Sequence, residues 1–197
     1  MDCYVGVDLA ATSDLTAVAY LVVQDGTYYF KTHYYLPESA LKDKADKELY
    51  KYWKQQSYLT VTSGNVTDYD YITADMLRYA DVVNIQSVGY DKYNATQWAI
   101  DSTEQGLPLE EYPQTLGNFN MPTRELERLI LSGKAVIDNN EINRYCFRNV
   151  TLKSDYNGNV KPNKAVDKKK IDGTIAMIQA LGMYLRNPRF SNEIITI

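Results

Sequence analysis

The sequence predicts an α/β domain built on a mixed β-sheet. Three antiparallel strands are expected in the first part of the chain, and strand-like and helical segments alternate from residue 59 to a long helix near the end. With 197 residues, of which 45% are apolar, the chain is long enough to bury a core of its own. We therefore expect a single domain over residues 1–197, with helices flanking the sheet.

The first part of the chain combines short apolar runs with turn signals. The strands are expected at Cys3–Asp8, Leu15–Val23 and Thr27–Leu36. A turn through Ala11–Asp14 joins the first two, and Asp25-Gly26, a common hairpin pair, joins the next two. Ser39 is then expected to begin a helix running towards Gln56, because apolar residues recur every four positions along it.

The middle of the chain alternates between the two element types. Strands are expected at Leu59–Thr62, Ile85–Asp91 and Leu109–Tyr112, and helices from Asp70 to near Asn84, at Asn94–Glu104 and at Pro122–Leu131. Gly106 and Gly133 are expected to end the last two helices, and Pro122 is expected to begin its helix.

The last part of the chain contains a hairpin and the longest helix. Ala135–Asp138 is expected to be a strand, Asn140–Arg148 a helix, and Val150–Tyr156 with Asn159–Lys161 a pair of strands. Asn157-Gly158 between those strands is a strong hairpin signal. The final helix is expected from about Asp167 to Arg186, where Asn187-Pro188 stops it.

Composition excludes several classes of protein. The two cysteines, Cys3 and Cys146, form no CxxC motif, and His33 is the only histidine, which argues against a disulfide framework and a zinc site. No apolar run approaches the ~20 residues that span a bilayer, and the first residues lack the pattern of a signal peptide. We expect a cytosolic protein without a membrane partner.

Three aspartates lie at the ends of predicted elements. Asp8 and Asp91 each close an apolar strand, and Asp172 opens the apolar stretch Ile171–Ile178 of the final helix. A strand that ends in a carboxylate places the acid at the rim of the sheet, and converged carboxylates repel one another unless a cation lies between them. Such oxygen ligands suit Mg²⁺ or Mn²⁺, and a pair of these ions about 4 Å apart is a common device for phosphodiester hydrolysis. The pattern indicates a nuclease.

The charge distribution is consistent with a polyanionic substrate. The net charge is −4, which argues against a uniformly basic nucleic-acid binder. Lysines are nevertheless concentrated around the predicted hairpin and the start of the final helix, at Lys153, Lys161, Lys164, Lys168, Lys169 and Lys170. We expect these lysines to contact double-stranded DNA. The alternative is an ordinary solvated loop and helix start.

The element order matches the ribonuclease-H-like (RNase H-like) plan, and the residues at its key positions resemble one family. The resemblance rests on Gly6–Ala17, Gly89–Ala95, Val150–Pro162 and Lys170–Ala176. These segments look like the nuclease domain of tailed-bacteriophage terminase large subunits, and the resemblance covers nearly the whole chain. It implies an endonuclease that cuts concatemeric viral DNA in the cytoplasm of the infected bacterial host.

The resemblance also implies partners. In that family an N-terminal packaging ATPase precedes the nuclease, and the small terminase subunit and the portal are partners. No Gly-x-x-x-x-Gly-Lys-Ser/Thr phosphate loop occurs here, so we expect this chain to be the nuclease domain without the ATPase domain. Such an isolated domain is expected to be monomeric.

The family's metal-binding acids fall, by motif, on Asp8, Asp91 and Asp172. The hypothesis is that Asp8 bridges two Mg²⁺ or Mn²⁺ ions and that Asp91 and Asp172 each complete one coordination sphere. Asp14 is a candidate fourth ligand, with a turn-forming role as the alternative. Asp167 is interpreted as the N-cap or a first-turn acid of the final helix.

Three other functions remain open at this point. The segment Gly6–Ser13 also resembles the phosphate-binding turn of actin-like ATPases and sugar kinases, but a chain of 197 residues leaves no room for their second domain. Another RNase H-like enzyme, such as a junction resolvase or a hybrid nuclease, would share the same acids. A docking module of the packaging machine would not need them.

Overall fold

The computed structural model describes residues 1–12, 14–43, 46–93, 95–166 and 169–186. The main sheet contains β1 (Asp2–Asp8), β2 (Thr16–Gln24), β3 (Thr27–Pro37), β4 (Thr60–Thr62), β5 (Asn84–Tyr90), β6 (Leu109–Glu111) and β7 (Ala135–Ile137). A separate hairpin is formed by β8 (Val150–Ser154) and β9 (Val160–Lys164). The helices are α1 (Ala40–Asp43), α2 (Lys47–Gln55), α3 (Tyr69–Ala80), α4 (Thr96–Glu104), α5 (Leu116–Leu131), α6 (Glu141–Arg148) and α7 (Asp172–Arg186).

The sheet is mixed, as the sequence predicts. Its strand order is β4-β3-β2-β1-β5-β6. β1, β2 and β3 pair antiparallel, whereas β5 is parallel to β1 and β6 is parallel to β5. β4 and β7 both pair in parallel with β3, at its two ends. The antiparallel start followed by parallel strands is the RNase H-like arrangement.

Helices cover both faces of the sheet. On one face α7 packs beneath α2, α5 and α6, and residues 172–183 of α7 are all buried. On the other face α3 and α4 pack against alternate residues of the same strands, such as Cys3, Val5 and Val7 of β1. His33 of β3 lies on this second face, where its ring Nδ1 is 3.0 Å from Asp75 of α3.

Glycines allow α7 to approach the sheet closely. A Cβ on Gly6 would lie 2.1 Å from the Ala176 carbonyl oxygen and 2.4 Å from the Ala180 nitrogen. A Cβ on Gly89 would lie 2.7 Å from the Met183 side chain. Because side chains alternate along a strand, Asp8, two positions after Gly6 in β1, lies on the same face of the sheet as Gly6. In β1 the Gly-x-Asp spacing therefore admits α7 and places the following carboxylate on the face that α7 covers.

The start of α5 differs from the sequence prediction. The helix begins at Leu116, and Pro122, the expected first residue, lies inside it. Thr115 caps the helix by accepting a hydrogen bond from the Asn118 backbone. Proline cannot donate to the carbonyl four residues earlier, but the Asn118 carbonyl accepts a hydrogen bond of 2.7 Å from the Tyr112 hydroxyl instead. A tertiary contact thus satisfies the group that Pro122 leaves unpaired.

Other boundaries also shift. The single helix expected from Ser39 to Gln56 is two helices, α1 and α2, and α7 begins at Asp172 rather than near residue 167. Asp167, Lys168 and the expected Asn187-Pro188 stop lie outside the described residues.

The turn of the β8–β9 hairpin is longer than the predicted Asn157-Gly158 pair. It is held by the Asp155 carboxylate, which accepts hydrogen bonds from the backbones of Asn157 and Asn159. The same carboxylate also accepts from the Asn159 side chain at 2.9 Å. Gly158 adopts a φ of 77°, which favours glycine at that position.

Replacing Gly6 by alanine should strongly destabilise the protein, because the new methyl group would overlap the backbone of α7. Overpacking of this kind typically costs about 1–3 kcal/mol and sometimes more. The matched control is Gly117→Ala in the first turn of α5, where a Cβ would meet nothing within 4 Å. Chemical denaturation should show Gly117→Ala neutral or more stable, since alanine is the better helix former. Equal stability of the two variants would contradict the close packing of α7.

Candidate functional site

Two of the predicted acids lie side by side at the carboxyl end of the sheet. Asp8 is the last residue of β1, and Asp91 directly follows the parallel neighbour β5. Gln114, in the segment between β6 and α5, contacts both. Its side-chain Nε2 donates to Asp8 Oδ1 at 2.9 Å, and its backbone N–H donates to Asp91 Oδ2 at 2.9 Å. The Tyr93 backbone donates to the other Asp91 oxygen at 3.0 Å.

The third acid comes from the helix that crosses the sheet. Asp172 is the first residue of α7 and is only 6% exposed. A Cβ on its neighbour Gly173 would collide with the Tyr34 hydroxyl, so the start of α7 is held tightly against β3. Within the described part of the chain, Asp172 Oδ2 is buried and has no hydrogen-bond partner. A buried carboxylate oxygen without a donor calls for a cation or a ligand N–H.

The other two acids act electrostatically on Asp8. Burial raises the pKa of Asp8 well above its ordinary value, and the negative charges of Asp172 and Asp91 raise it further. The hydrogen bond from Gln114 and the charge of Lys164 oppose this shift. Burial likewise raises the pKa of Asp172, against backbone N–H groups and nearby lysines that lower it. The folded protein therefore holds these carboxylates close together at a cost in free energy.

Lysines and a fourth acid surround the centre. The Lys170 and Lys164 ammonium groups both pair with Asp14, the latter at 3.5 Å. The charges of these two lysines also act on Asp172. Asp14, the candidate fourth ligand, thus lies beside the site with its carboxylate engaged by two lysines. Burial lowers the pKa of Lys170.

The described acids fit a divalent cation in chemistry but do not form a ready-made coordination cluster. Among residues 1–12, 14–43, 46–93, 95–166 and 169–186, no group of three or more His, Cys, Asp or Glu side chains is arranged to hold a metal ion. A hard cation would nevertheless coordinate the unpaired Asp172 oxygen and relieve the repulsion between Asp8 and Asp172. The donor set therefore suits Mg²⁺ or Mn²⁺.

The predicted DNA-binding lysines occupy different environments. Lys153 is exposed on β8, whereas Lys161 of β9 donates to the Gln114 carbonyl at 3.2 Å. Lys169 lies with its ammonium 5.6 Å from the centre of the Tyr145 ring. Lys164 and Lys170 are the two that pair with Asp14. Lys168 lies outside the described residues.

Sequence reasoning missed Gln114. The signal was available, because Gln114 follows β6, the next parallel strand after β5, and the carboxyl ends of neighbouring parallel strands lie at the same edge of a sheet. An uncharged amide, however, does not stand out in a sequence as a candidate site residue in the way that a carboxylate does. Only the hydrogen bonds to Asp8 and Asp91 show that Gln114 belongs to the site.

The fold and this edge of the sheet define the class of the protein: an RNase H-like α/β domain with three aspartates around one end of the sheet. A comparison with protein families identifies the particular group. The profile of the terminase large subunit endonuclease domain matches residues 1–187. The chain belongs to this family.

Two individual proteins are similar to nearly the whole of this chain. The chain is 28% identical to the terminase large subunit of Enterobacteria phage HK97, over 91% of this chain and 36% of that protein. It is 30% identical to protein YmfN of Escherichia coli (strain K12), over 98% of this chain and 46% of that protein. The chain thus spans less than half the length of either relative.

Solved structures show the same fold. The crystal structure of the HK97 large terminase superposes with a TM-score of 0.83, covering 92% of this chain and 39% of that one. The large terminase nuclease of thermophilic phage G20c is 13% identical, with a TM-score of 0.63 over 93% of this chain and 81% of that one, and shows the fold alone.

None of the helices among the described residues is long and apolar enough to cross a membrane.

The raised pKa of Asp8 predicts that Asp8→Asn stabilises the metal-free protein. An acid whose folded pKa lies above its unfolded value of about 3.9 loses stability as the pH rises from there through the folded pKa. Asparagine removes the charge and still accepts the Gln114 hydrogen bond. In EDTA at about pH 7 the melting temperature should rise by a few degrees, the shift that about 1 kcal/mol produces in a domain of this size.

The gain from Asp8→Asn should shrink as the pH is lowered through the raised pKa of folded Asp8, and it should disappear below about 3.9, where the wild-type carboxyl becomes protonated in the unfolded state as well. Thermal melts across this range check the prediction. Asp70→Asn, at an exposed acid of α3, is the matched control and should show no such trend. A pH-independent difference for Asp8→Asn would contradict the electrostatic account of the site.

Proposed function

We propose that this domain is a metal-dependent endonuclease that cuts concatemeric double-stranded DNA during viral genome packaging. The observation that carries the proposal is the gathering of Asp8, Asp91 and Asp172 at one edge of the sheet. Burial and charge repulsion raise the pKa of Asp8, and one buried oxygen of Asp172 has no hydrogen-bond partner among the described residues. Proteins rarely keep such an arrangement for stability, because it costs free energy. Function is the usual reason for it.

The roles of the residues follow from their positions. The charges of Asp91 and Asp172 both act on Asp8. Asp8 would therefore be shared by two Mg²⁺ or Mn²⁺ ions, and Asp91 and Asp172 would each complete the ligands of one ion. Such ions supply a nucleophile from water at neutral pH and stabilise the leaving oxygen of the phosphodiester. Lys164 adds a positive charge beside the acids, where it would attract the scissile phosphate. The expected products carry a 3′-hydroxyl and a 5′-phosphate.

Relatives support the metal requirement. The G20c large terminase nuclease has been solved with bound magnesium and with bound cobalt, and these structures superpose on this chain with TM-scores of 0.61 and 0.60. Both share only 13% sequence identity with this chain. The choice of Mg²⁺ or Mn²⁺ therefore rests on the all-oxygen donor set of this site.

The proposal extends to the protein's surroundings. We infer that residues 1–197 act as one nuclease domain alongside a packaging ATPase, with the small terminase subunit and the portal as further partners. The site of action would be the cytoplasm of the infected bacterial host. The domain by itself is proposed to be monomeric. The relatives' greater length supports the idea of a further part, since this chain spans 36% of the HK97 protein.

The first test is cleavage of supercoiled plasmid by the purified chain in Mn²⁺, Mg²⁺ or EDTA. We expect nicking and linearisation with either ion and none in EDTA. Asp172→Asn should lower the rate by more than about 100-fold, beyond the 10–100-fold typical of residues that only support a metal ligand. Asp70→Asn should cut like the wild type. Intact plasmid in every lane, with the protein folded, would move the assignment to a docking module.

A second test concerns the hairpin. Phosphate contacts make DNA binding steeply salt-dependent, and each lost contact lowers the slope of log K against log salt by roughly 0.9. Lys153→Ala on exposed β8 should weaken binding and reduce the slope by about that amount. Lys51→Ala, at an exposed position of α2 where Lys51 pairs with Glu48, is the control. An unchanged slope for Lys153→Ala would remove that side of the hairpin from the DNA path.

A further inference from the structure

We propose that Gln114 is a positioning residue that fixes Asp8 and Asp91 relative to each other and links this acid pair to the β8–β9 hairpin. The inference rests on the proposed metal-dependent nuclease function. It assigns a role to an uncharged residue that the acid pattern of the sequence does not indicate.

The first argument is that one residue contacts both acids through two different groups. The Gln114 side chain donates to Asp8, and its backbone N–H donates to Asp91, each at 2.9 Å. The distance between the two carboxylates is therefore tied to the geometry of a single residue. Each contact uses one oxygen of its acid, and on Asp8 no other hydrogen bond is seen among the described residues. The Gln114 hydrogen bond therefore leaves the second Asp8 oxygen available to a cation.

The second argument is that the Gln114 backbone is itself held firmly. The Tyr112 backbone donates to the Tyr90 carbonyl of β5 at 2.6 Å, and the Pro113 carbonyl accepts from the Thr115 backbone and from the Asn118 side chain. Pro113 restricts its own φ, and Thr115 caps α5 immediately afterwards. A residue anchored on both sides can position its contacts more accurately than a residue of a free loop.

The third argument is the connection to the hairpin. Lys161 of β9 donates to the Gln114 carbonyl at 3.2 Å. The hairpin is also tied to α5, because the Val160 backbone donates to Asn120 Oδ1 at 2.9 Å and Arg124 donates to the Gly158 carbonyl. Gln114 lies just before α5 in the chain. A shift of the hairpin on meeting DNA would therefore reach the acid pair through Gln114.

The chemistry of the side chain supports this role. An amide N–H donates a hydrogen bond to the Asp8 carboxylate without adding a charge to the site. A glutamate in its place would face Asp8 as a fourth repelling carboxylate. Residues that orient a metal ligand in this way typically change metal affinity or activity by 10–100-fold when replaced.

The test uses Gln114→Met, which keeps the length of the side chain and the backbone N–H to Asp91 but cannot donate to Asp8. The matched control is Gln97→Met on α4, where the glutamine donates to Asp101 at 2.8 Å in an exposed position. Mn²⁺ binding to the metal-free protein is measured by calorimetry, and plasmid cleavage gives kcat and KM. We expect Mn²⁺ affinity and kcat to fall roughly tenfold for Gln114→Met, with KM for DNA unchanged.

The outcomes separate this inference from the proposed function. If the wild type binds Mn²⁺ and cuts DNA but Gln114→Met matches it in both, Gln114 is not a positioning residue although the nuclease assignment stands. If the wild type neither binds Mn²⁺ nor cuts, the proposed function itself fails.

A second variant, Gln114→Glu, should melt at a lower temperature than the wild type in EDTA and regain more stability when Mn²⁺ is added. Equal metal-induced shifts in both proteins would contradict the contact with Asp8.

Discussion

The close packing of α7 across the sheet is the constraint on which the rest of the structure depends. Gly6 and Gly89 bring the helix against β1 and β5, and residues 172–183 are buried as a result. This packing carries Asp172 to the carboxyl end of β1, where Asp8 lies. Without it the acids would remain on separate elements. The same contact that completes the core therefore also assembles the site.

The site is an electrostatic compromise. Burial raises the pKa of both Asp8 and Asp172, and the charges of Asp172 and Asp91 raise that of Asp8 further. Gln114 and Lys164 lower the pKa of Asp8 in part, and backbone N–H groups and nearby lysines lower that of Asp172. Asp14 in turn pairs with Lys164 and Lys170, so the positive charges near the acids are themselves held in place. A polar network of this kind reduces stability locally but keeps the carboxylates where a cation can relieve their repulsion. Stability given up at a functional site is a common pattern.

Sequence and structure agree best where the pattern is local. The apolar strand that ends at Asp8 forms as expected, with Cys3 to Val7 all buried, and Asp25-Gly26 forms the turn between β2 and β3 with positive φ at both residues. The agreement fails where a tertiary contact overrides the local rule. Proline normally occurs in the first turn of a helix, yet α5 continues through Pro122 because the Tyr112 hydroxyl donates a hydrogen bond to the Asn118 carbonyl. No local signal in the sequence encodes that hydrogen bond.

The sequence by itself determined the mixed sheet, the order of its strands along the chain, the motif that identifies the family, and the placing of three aspartates at the ends of their elements. These follow from apolar periodicity and from the short range over which turns and strand ends are specified. Only the tertiary structure decided that Gln114 contacts both Asp8 and Asp91 and that Asp14 pairs with lysines rather than standing alone. These contacts join residues 23 to 156 positions apart, and such pairings depend on how helices cross the sheet, which no local pattern specifies.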